Sequence, residues 1–180
     1  FLSLSKEKQC FAQFSPEQEE EIEKLGTIIN DKSSHDTSLV QAYVGLAEIL
    51  YISNLDTLIP LCKKAQKIAE KSLESHHSSQ ETLALKKMLS VAINNIGYIH
   101  SRKGKINMAL EYYHKSLKLD EEIGDKKGLA ASYNNIGYIY ENQGDIPAAL
   151  EYYHNSLKIK EEIGDKKGMA QSYNNIGYVH

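Results

Sequence analysis

Asn134-Asn135-Ile136-Gly137-Tyr138-Ile139 is the middle copy of a motif that occurs three times. The same positions read Asn94-Asn95-Ile96-Gly97-Tyr98-Ile99 at an offset of 40 before it and Asn174-Asn175-Ile176-Gly177-Tyr178-Val179 at an offset of 40 after it. Working outward, Ala109-Leu110-Glu111-Tyr112-Tyr113-His114 returns as Ala149-Leu150-Glu151-Tyr152-Tyr153-His154. Glu121-Glu122-Ile123-Gly124-Asp125-Lys126-Lys127-Gly128 returns as Glu161 to Gly168. Whole units repeat, and a period of this length marks an array in which neighbouring units bury together an apolar face that none can bury alone.

Each unit reads as two helices. Gly124 offers a left-handed stop and Asp125 a side chain that caps the next helix, predicted from about Asp125 to Gln143. Within it Leu129, Tyr133, Ile136, Gly137 and Tyr140 recur at three- and four-residue spacing as one apolar stripe. Gly144-Asp145 closes this helix and opens the second, where Pro147 is tolerated because the first turn has no intrahelical donor to lose. The second helix runs to about Ile163, with Ala149, Leu150, Tyr153, Leu157 and Ile163 as its stripe. Gly137 and Ala149 stand where the two helices should cross, letting the backbones approach, with Tyr140 and Tyr153 filling the space beside them.

The pattern Tyr133-x2-Ile136-Gly137-x2-Tyr140, then Ala149-x3-Tyr153, resembles the tetratricopeptide signature W-x2-L-G-x2-Y…A-x3-F. The period is 40 rather than the usual 34, and Glu121 or Glu161 stands where the signature ends on proline. Units of this length are similar to those of kinesin light chains and related adaptors, whose paired asparagines on the first helix contact peptides. The resemblance implies an all-α fold: a right-handed superhelix, or α-solenoid, of stacked antiparallel helix hairpins.

Before the clear repeats, Ser15-Pro16-Glu17-Gln18 has the capping-box pattern and opens a helix whose apolar face is Ile22, Leu25, Ile28 and Ile29. Tyr43-x2-Leu46-Ala47-x2-Leu50, followed by Asn54-Leu55-Asp56 and then Leu58, Ile59, Cys62, Ala65 and Ile68, reads as a divergent capping repeat. Residues 75–80 read as a loop, and the next helix should span about Glu81 to Arg102. The division expected is an N-terminal extension at 1–15, a helix at 16–35, the divergent repeat at 36–74, a repeat with an extended first helix at 75–124, a repeat at 125–164, and the first helix of an incomplete repeat at 165–180. Phe1 at the start and His180 inside a repeat suggest a segment of a longer product. The arrangement resembles the N-terminal sensory region of bacterial signalling proteins of the sensor histidine kinase type. Localisation, cytoplasmic or periplasmic, would follow from the parent protein.

In such stacks the first helices line the concave face. Asn94, Asn134 and Asn174 lie about 200 degrees off the stripe and should point away from the core, with Asn95, Asn135 and Asn175 beside them and Tyr98, Tyr138 and Tyr178 one turn on. Arg102, Glu141 and Asn142 extend this surface. An amide both donates and accepts, so a ladder of them suits the backbone of an extended peptide, and tyrosines add flat apolar area. Bracing between neighbouring repeats is the alternative use of the same amides. A clamp for a terminal carboxylate is disfavoured, because Asn134 takes the place such clamps give to lysine, and Glu141 reads as the counterpart of Arg102 one repeat later.

The remaining composition excludes other classes. A net charge of −3 with acids and bases interspersed gives no basic face for nucleic acid. No run approaches the roughly 20 apolar residues of a membrane span, so this segment should not insert directly. Cys10 and Cys62 lack zinc or disulfide spacing, and Cys62 falls in a helical pattern as a buried thiol. His114 and His154 read as a solvated pair, His76-His77 as a solvated loop. The glycines are spaced as helix ends and a crossing rather than a phosphate loop. The expectation is no enzyme, no metal and no cofactor, with a protein or peptide ligand as partner and self-association as the competing role.

Overall fold

The computed structural model describes residues 14–50, 55–75 and 77–179. They form eight helices and, among the described residues, no strand: α1 Pro16–Asn30, α2 Asp36–Leu50, α3 Leu55–Leu73, α4 Ser79–Arg102, α5 Ile106–Ile123, α6 Lys126–Gln143, α7 Ile146–Glu162 and α8 Lys166–Tyr178. The helices pair as hairpins α2–α3, α4–α5 and α6–α7, and each hairpin packs on the next through α3–α4, α5–α6 and α7–α8. Lateral contacts of α2 with α4 and of α4 with α6 align the first helices side by side, the solenoid arrangement expected.

Local signals set the ends. Ser15 caps α1 reciprocally with Gln18. Gly124 and Gly144 close α5 and α6 at φ 69° and 78°, in the left-handed region that costs glycine nothing. Asp125, Asp145 and Asp165 then accept the free N–H groups of α6, α7 and α8. One boundary differs from the sequence reading: α4 begins at Ser79, because Ser78 is its cap and Glu81 completes a capping box at the third position. His77 is also not a solvated loop residue. It is half-buried, and its Nε2 lies 2.7 Å from the Ser72 carbonyl, so the imidazole satisfies the open end of α3. Cys10, Asn54, His76 and His180 lie outside the described residues.

The core shows why the small residues are where they are. A Cβ built on Gly137 would stand 2.8 Å from the Tyr153 ring and 3.3 Å from the Ala149 carbonyl oxygen, and Gly97 meets Tyr113 and Ala109 at the same distances. Tyr113 and Tyr153 are buried to 2% and 0% exposure, so glycine on the first helix is what lets the ring of the second lie flat against it. Tyr140 stacks on Tyr152, and His100, in the register position of Tyr140, stacks on Tyr112.

Candidate functional site

The asparagines do not simply point outward. The Asn135 amide donates to the Asn94 Oδ1 at 3.0 Å, and the Asn175 amide donates to the Asn134 Oδ1 at 3.0 Å. Asn94 passes the chain on by donating to Ser132 Oγ at 2.9 Å. Asn94 and Asn134 therefore sit half-buried between adjacent first helices, whereas Asn174 on α8 is exposed. The second asparagine reaches back across the repeat boundary. Each bond uses one of several amide valences, so Asn135 and Asn175 keep a carbonyl oxygen and one N–H each.

Around these rungs the other expected residues differ in accessibility. Tyr138 is 45% and Tyr178 83% exposed, while Tyr98 is half-buried against both apolar clusters. Arg102 and Asn142 are exposed at the ends of α4 and α6, and the Asn142 amide donates back to the Tyr138 carbonyl at 2.6 Å. Counting from the repeated motif, Arg102 matches Asn142, and Glu141 matches Ser101 rather than Arg102. The Glu141 carboxylate accepts from the Tyr153 hydroxyl inside its own hairpin, which holds that phenol well above its usual range together with burial, the larger cause. A hollow of about 560 Å³ opens between α6, α7 and α8, lined among others by Lys127, Ala131, Asn134, Asn135, Lys160 and Gln171.

Sequence reasoning missed a polar seam behind the asparagines. Ser116 Oγ donates to the Ser90 carbonyl at 3.2 Å and Ser156 Oγ to the Ala130 carbonyl at 2.8 Å, each joining the helices of one hairpin. Ser132 Oγ lies 3.3 Å from Ser116 Oγ across the hairpin boundary, so hydroxyls and amides connect from α5 through α6 to Asn94 and Asn135. Asp120 ends this seam, 1% exposed, with Oδ2 accepting from Ser116 at 3.4 Å and Oδ1 lacking a partner. Burial pushes its carboxyl up to about 6, with Asp125 adding to the rise and Lys87 opposing it. Lys160 occupies the equivalent place one repeat on, buried, donating to Ser172 Oγ at 2.9 Å. Desolvation lowers its pKa. The available signal was the serine recurring at 116 and 156, always one turn before that position.

No constellation for chemistry forms among the described residues. His114 and His154 are exposed, the latter with Nδ1 at 2.7 Å from the Leu150 carbonyl. Among the described residues no group of three or more His, Cys, Asp or Glu side chains is placed to hold a metal. Among the described residues no helix is long and apolar enough to cross a membrane.

The stacked helix hairpins agree with the comparison against known families. The tetratricopeptide repeat family model matches residues 88–162 and 128–180, together more than half of the chain. The chain belongs to the tetratricopeptide repeat family. Among solved structures it is similar to BtubC (BKLC) from P. vanneervenii, at a TM-score of 0.67 and 19% identity over 91% of this chain and 63% of that one. It therefore spans less than two thirds of that protein's length, and at this identity the likeness concerns the fold. No curated protein matches. Repeats of this family mediate contacts between proteins.

Proposed function

We propose that the first-helix face binds an extended peptide segment of another protein, and that the array serves as the regulatory or sensory part of a larger signal-transduction protein. The observation that carries the binding reading is the combination at α6 and α8. Asn135 and Asn175 retain donors and acceptors after bracing one another's repeats, beside an exposed Tyr138 and a hollow of about 560 Å³. Amides spaced along a groove suit a peptide backbone whatever its sequence, and a tyrosine supplies area at low entropic cost. The resemblance of the repeat order to bacterial sensory regions supports the signalling context.

The bracing role of Asn94, Asn134, Asn135 and Asn175 makes alanine at those positions a confounded test, because stacking and binding would fall together. Exposed positions separate the two. The chain is used as bait against a lysate of its source beside a Tyr138→Ser/Gln171→Ala variant and a His114→Ala/Lys118→Ser control. A partner kept by wild type and control and lost from the groove variant is expected. Equal retention by all three, or no partner at all, would overturn the assignment.

A second reading, self-association, has its own observation. An added Cβ on Gly177 meets nothing within 4 Å among the described residues, whereas Gly137 meets a tyrosine ring. Tyr173 is also 53% exposed, so the α8 face equivalent to the one α6 packs on α7 is uncovered among the described residues. A concentration-dependent sedimentation coefficient would support that use.

A further inference from the structure

A recess of about 210 Å³ opens between α2, α3 and α4, lined by Ala47, Glu48, Leu58, Cys62, Asn95 and Tyr98. Its origin lies in the repeat register. Aligning Tyr43-x2-Leu46-Ala47 with Tyr133-x2-Ile136-Gly137, Ala47 stands in the place of Gly97 and Gly137, and Glu48 in the place of Tyr98 and Tyr138. Aligning Leu58-x3-Cys62 with Ala149-x3-Tyr153, Cys62 stands in the place of Tyr113 and Tyr153. In the later hairpins a tyrosine ring occupies the crossing only because glycine faces it, a Cβ there falling 2.8 Å from the ring. In this hairpin the first helix supplies a methyl group and the second a thiol, both buried, and they form the floor of the recess.

The polar groups at the rim are also unspent. Asn95 corresponds to Asn135 and Asn175, which donate back to an asparagine of the preceding repeat. The residue that would receive Asn95 is Val44, which has no acceptor in its side chain. Among the described residues neither Asn95 nor Glu48 makes a side-chain hydrogen bond or ion pair. Glu48 lies at the exposed rim, and the protein around it raises its pKa by desolvation. Burial first, and then the Glu48 charge, push the Cys62 thiol up to about 12, so it presents a neutral, apolar floor.

We infer that this recess is a side-chain pocket of the peptide-binding face and takes a lysine or arginine, its aliphatic stem beside Tyr98 above the buried Leu58 and Cys62 and its cationic head between the Glu48 carboxylate and the Asn95 carbonyl. The inference rests on the peptide-binding reading above and deepens it. Size excludes a cofactor: 210 Å³ lies below the roughly 300–1,000 Å³ of small-molecule sites and holds about seven waters by liquid volume. Charge selects among side chains. A neutral apolar group would desolvate Glu48 further with nothing in return, and an acidic one would add repulsion. A cation with an apolar stem satisfies both the floor and the rim, through charge-assisted hydrogen bonds.

The test reads the recess and the peptide separately. The isotope-labelled chain is titrated with pentylammonium, pentanol and pentanoate while amide resonances of Ala47, Glu48, Asn95 and Tyr98 are followed. The ammonium is expected to shift them, with pentanol at least about tenfold weaker and Glu48→Gln lowering ammonium affinity by about tenfold or more. An Ala47→Gly/Cys62→Tyr variant rebuilds the glycine–tyrosine crossing, fills the recess and should abolish the shifts. Should that pair fail to fold, Glu48→Gln alone at its exposed rim still decides. Equal affinity for alcohol and ammonium, or ammonium binding unchanged in Glu48→Gln, would overturn the pocket. A random nonapeptide pool is then selected on wild type and on Glu48→Gln, with Lys and Arg enriched on the first only. Peptides retained without that enrichment would sink the pocket and spare the groove, whereas ammonium binding with no peptide retained would overturn the peptide source.

Discussion

Replacing Asp120 by asparagine should stabilise the chain at neutral pH, and the gain should depend on pH in a defined direction. Burial raises this carboxyl from its ordinary 3.8 to about 6. The folded chain therefore holds the proton more tightly than the unfolded chain does. Between those values the native state binds more protons, so stability falls as pH rises from about 4 to about 6 and is level above. Two units at 1.36 kcal/mol each set a ceiling of about 3 kcal/mol for the cost of the ionised group. Rearrangement around Lys87, Asp125 and the serine seam reduces it, and about 1 to 3 kcal/mol is expected. The asparagine variant carries no charge at this site at any pH. Urea unfolding of both proteins from pH 3.5 to 8 should then give a difference that grows in favour of Asp120→Asn through that window and plateaus. Contributions of titrating groups that do not sense this site cancel in the difference, Asp125 and Lys87 being the two charges coupled to it. A difference that stays flat, or that moves against the variant as pH rises, would refute the claim that an uncompensated carboxylate is buried at the α5–α6 boundary.

Two further outcomes follow from the same packing. Gly137→Ala, whose Cβ would fall 2.8 Å from the fully buried Tyr153 ring, should cost about 1 to 3 kcal/mol. The identical change at Gly177, where nothing lies within 4 Å, should be neutral or stabilising by up to about 1 kcal/mol; paired urea titrations of the two variants check this. His100 is 6% exposed with both ring nitrogens unpartnered, and burial, then Lys105, Lys63 and Lys103, lower its pKa. The unfolded chain accepts a proton there near pH 6.5 that the fold resists, so stability contributed by this site is lost as pH falls through that value, and thermal melts of His100→Tyr should lack this acid loss.

What was legible in the sequence were the features written within one helix or one turn. Ser15 with Gln18, Gly144 followed by Asp145, and the facing Gly137, Ala149 and Tyr153 each declare a local conformation through residue type and spacing. What was not legible depends on how one hairpin sits against the next. The helical-wheel angle correctly removes Asn94 from its own core stripe. It says nothing of the neighbouring first helix that brings Ser132 and Asn135 to it. Asp120 stands directly before Glu121-Glu122, and nothing in that local composition distinguishes it from its solvated neighbours. It is buried because Gly128 of the following helix has no side chain: a Cβ there would stand 2.4 Å from the Asp120 carboxyl carbon. His77 and the start of α4 were misplaced for a related reason, since Ser78 outweighs the loop-like composition around it once its partner Glu81 is counted.

Near-identical repeats are informative where they part company. Asp120 and Lys160 hold the same place in successive hairpins with opposite charge and both are buried, Lys160 against Ser172 of the next first helix and Asp120 against Ser116 of its own helix. Geometry at that boundary is therefore not set by a particular ion pair. It is set by what the two copies share: Ser116 and Ser156 tying each hairpin together, Gly128 and Gly168 admitting close approach, and the capping Asp125 and Asp165. The lysine reaches a hydroxyl through its long stem, while the shorter aspartate leaves one oxygen without a partner. The same logic explains the recess at Cys62. There the tyrosine of the crossing is replaced by a smaller residue, and a recess lies beside it. Variation confined to such positions changes the electrostatics and shape of one rung of the surface without disturbing the stack that displays it.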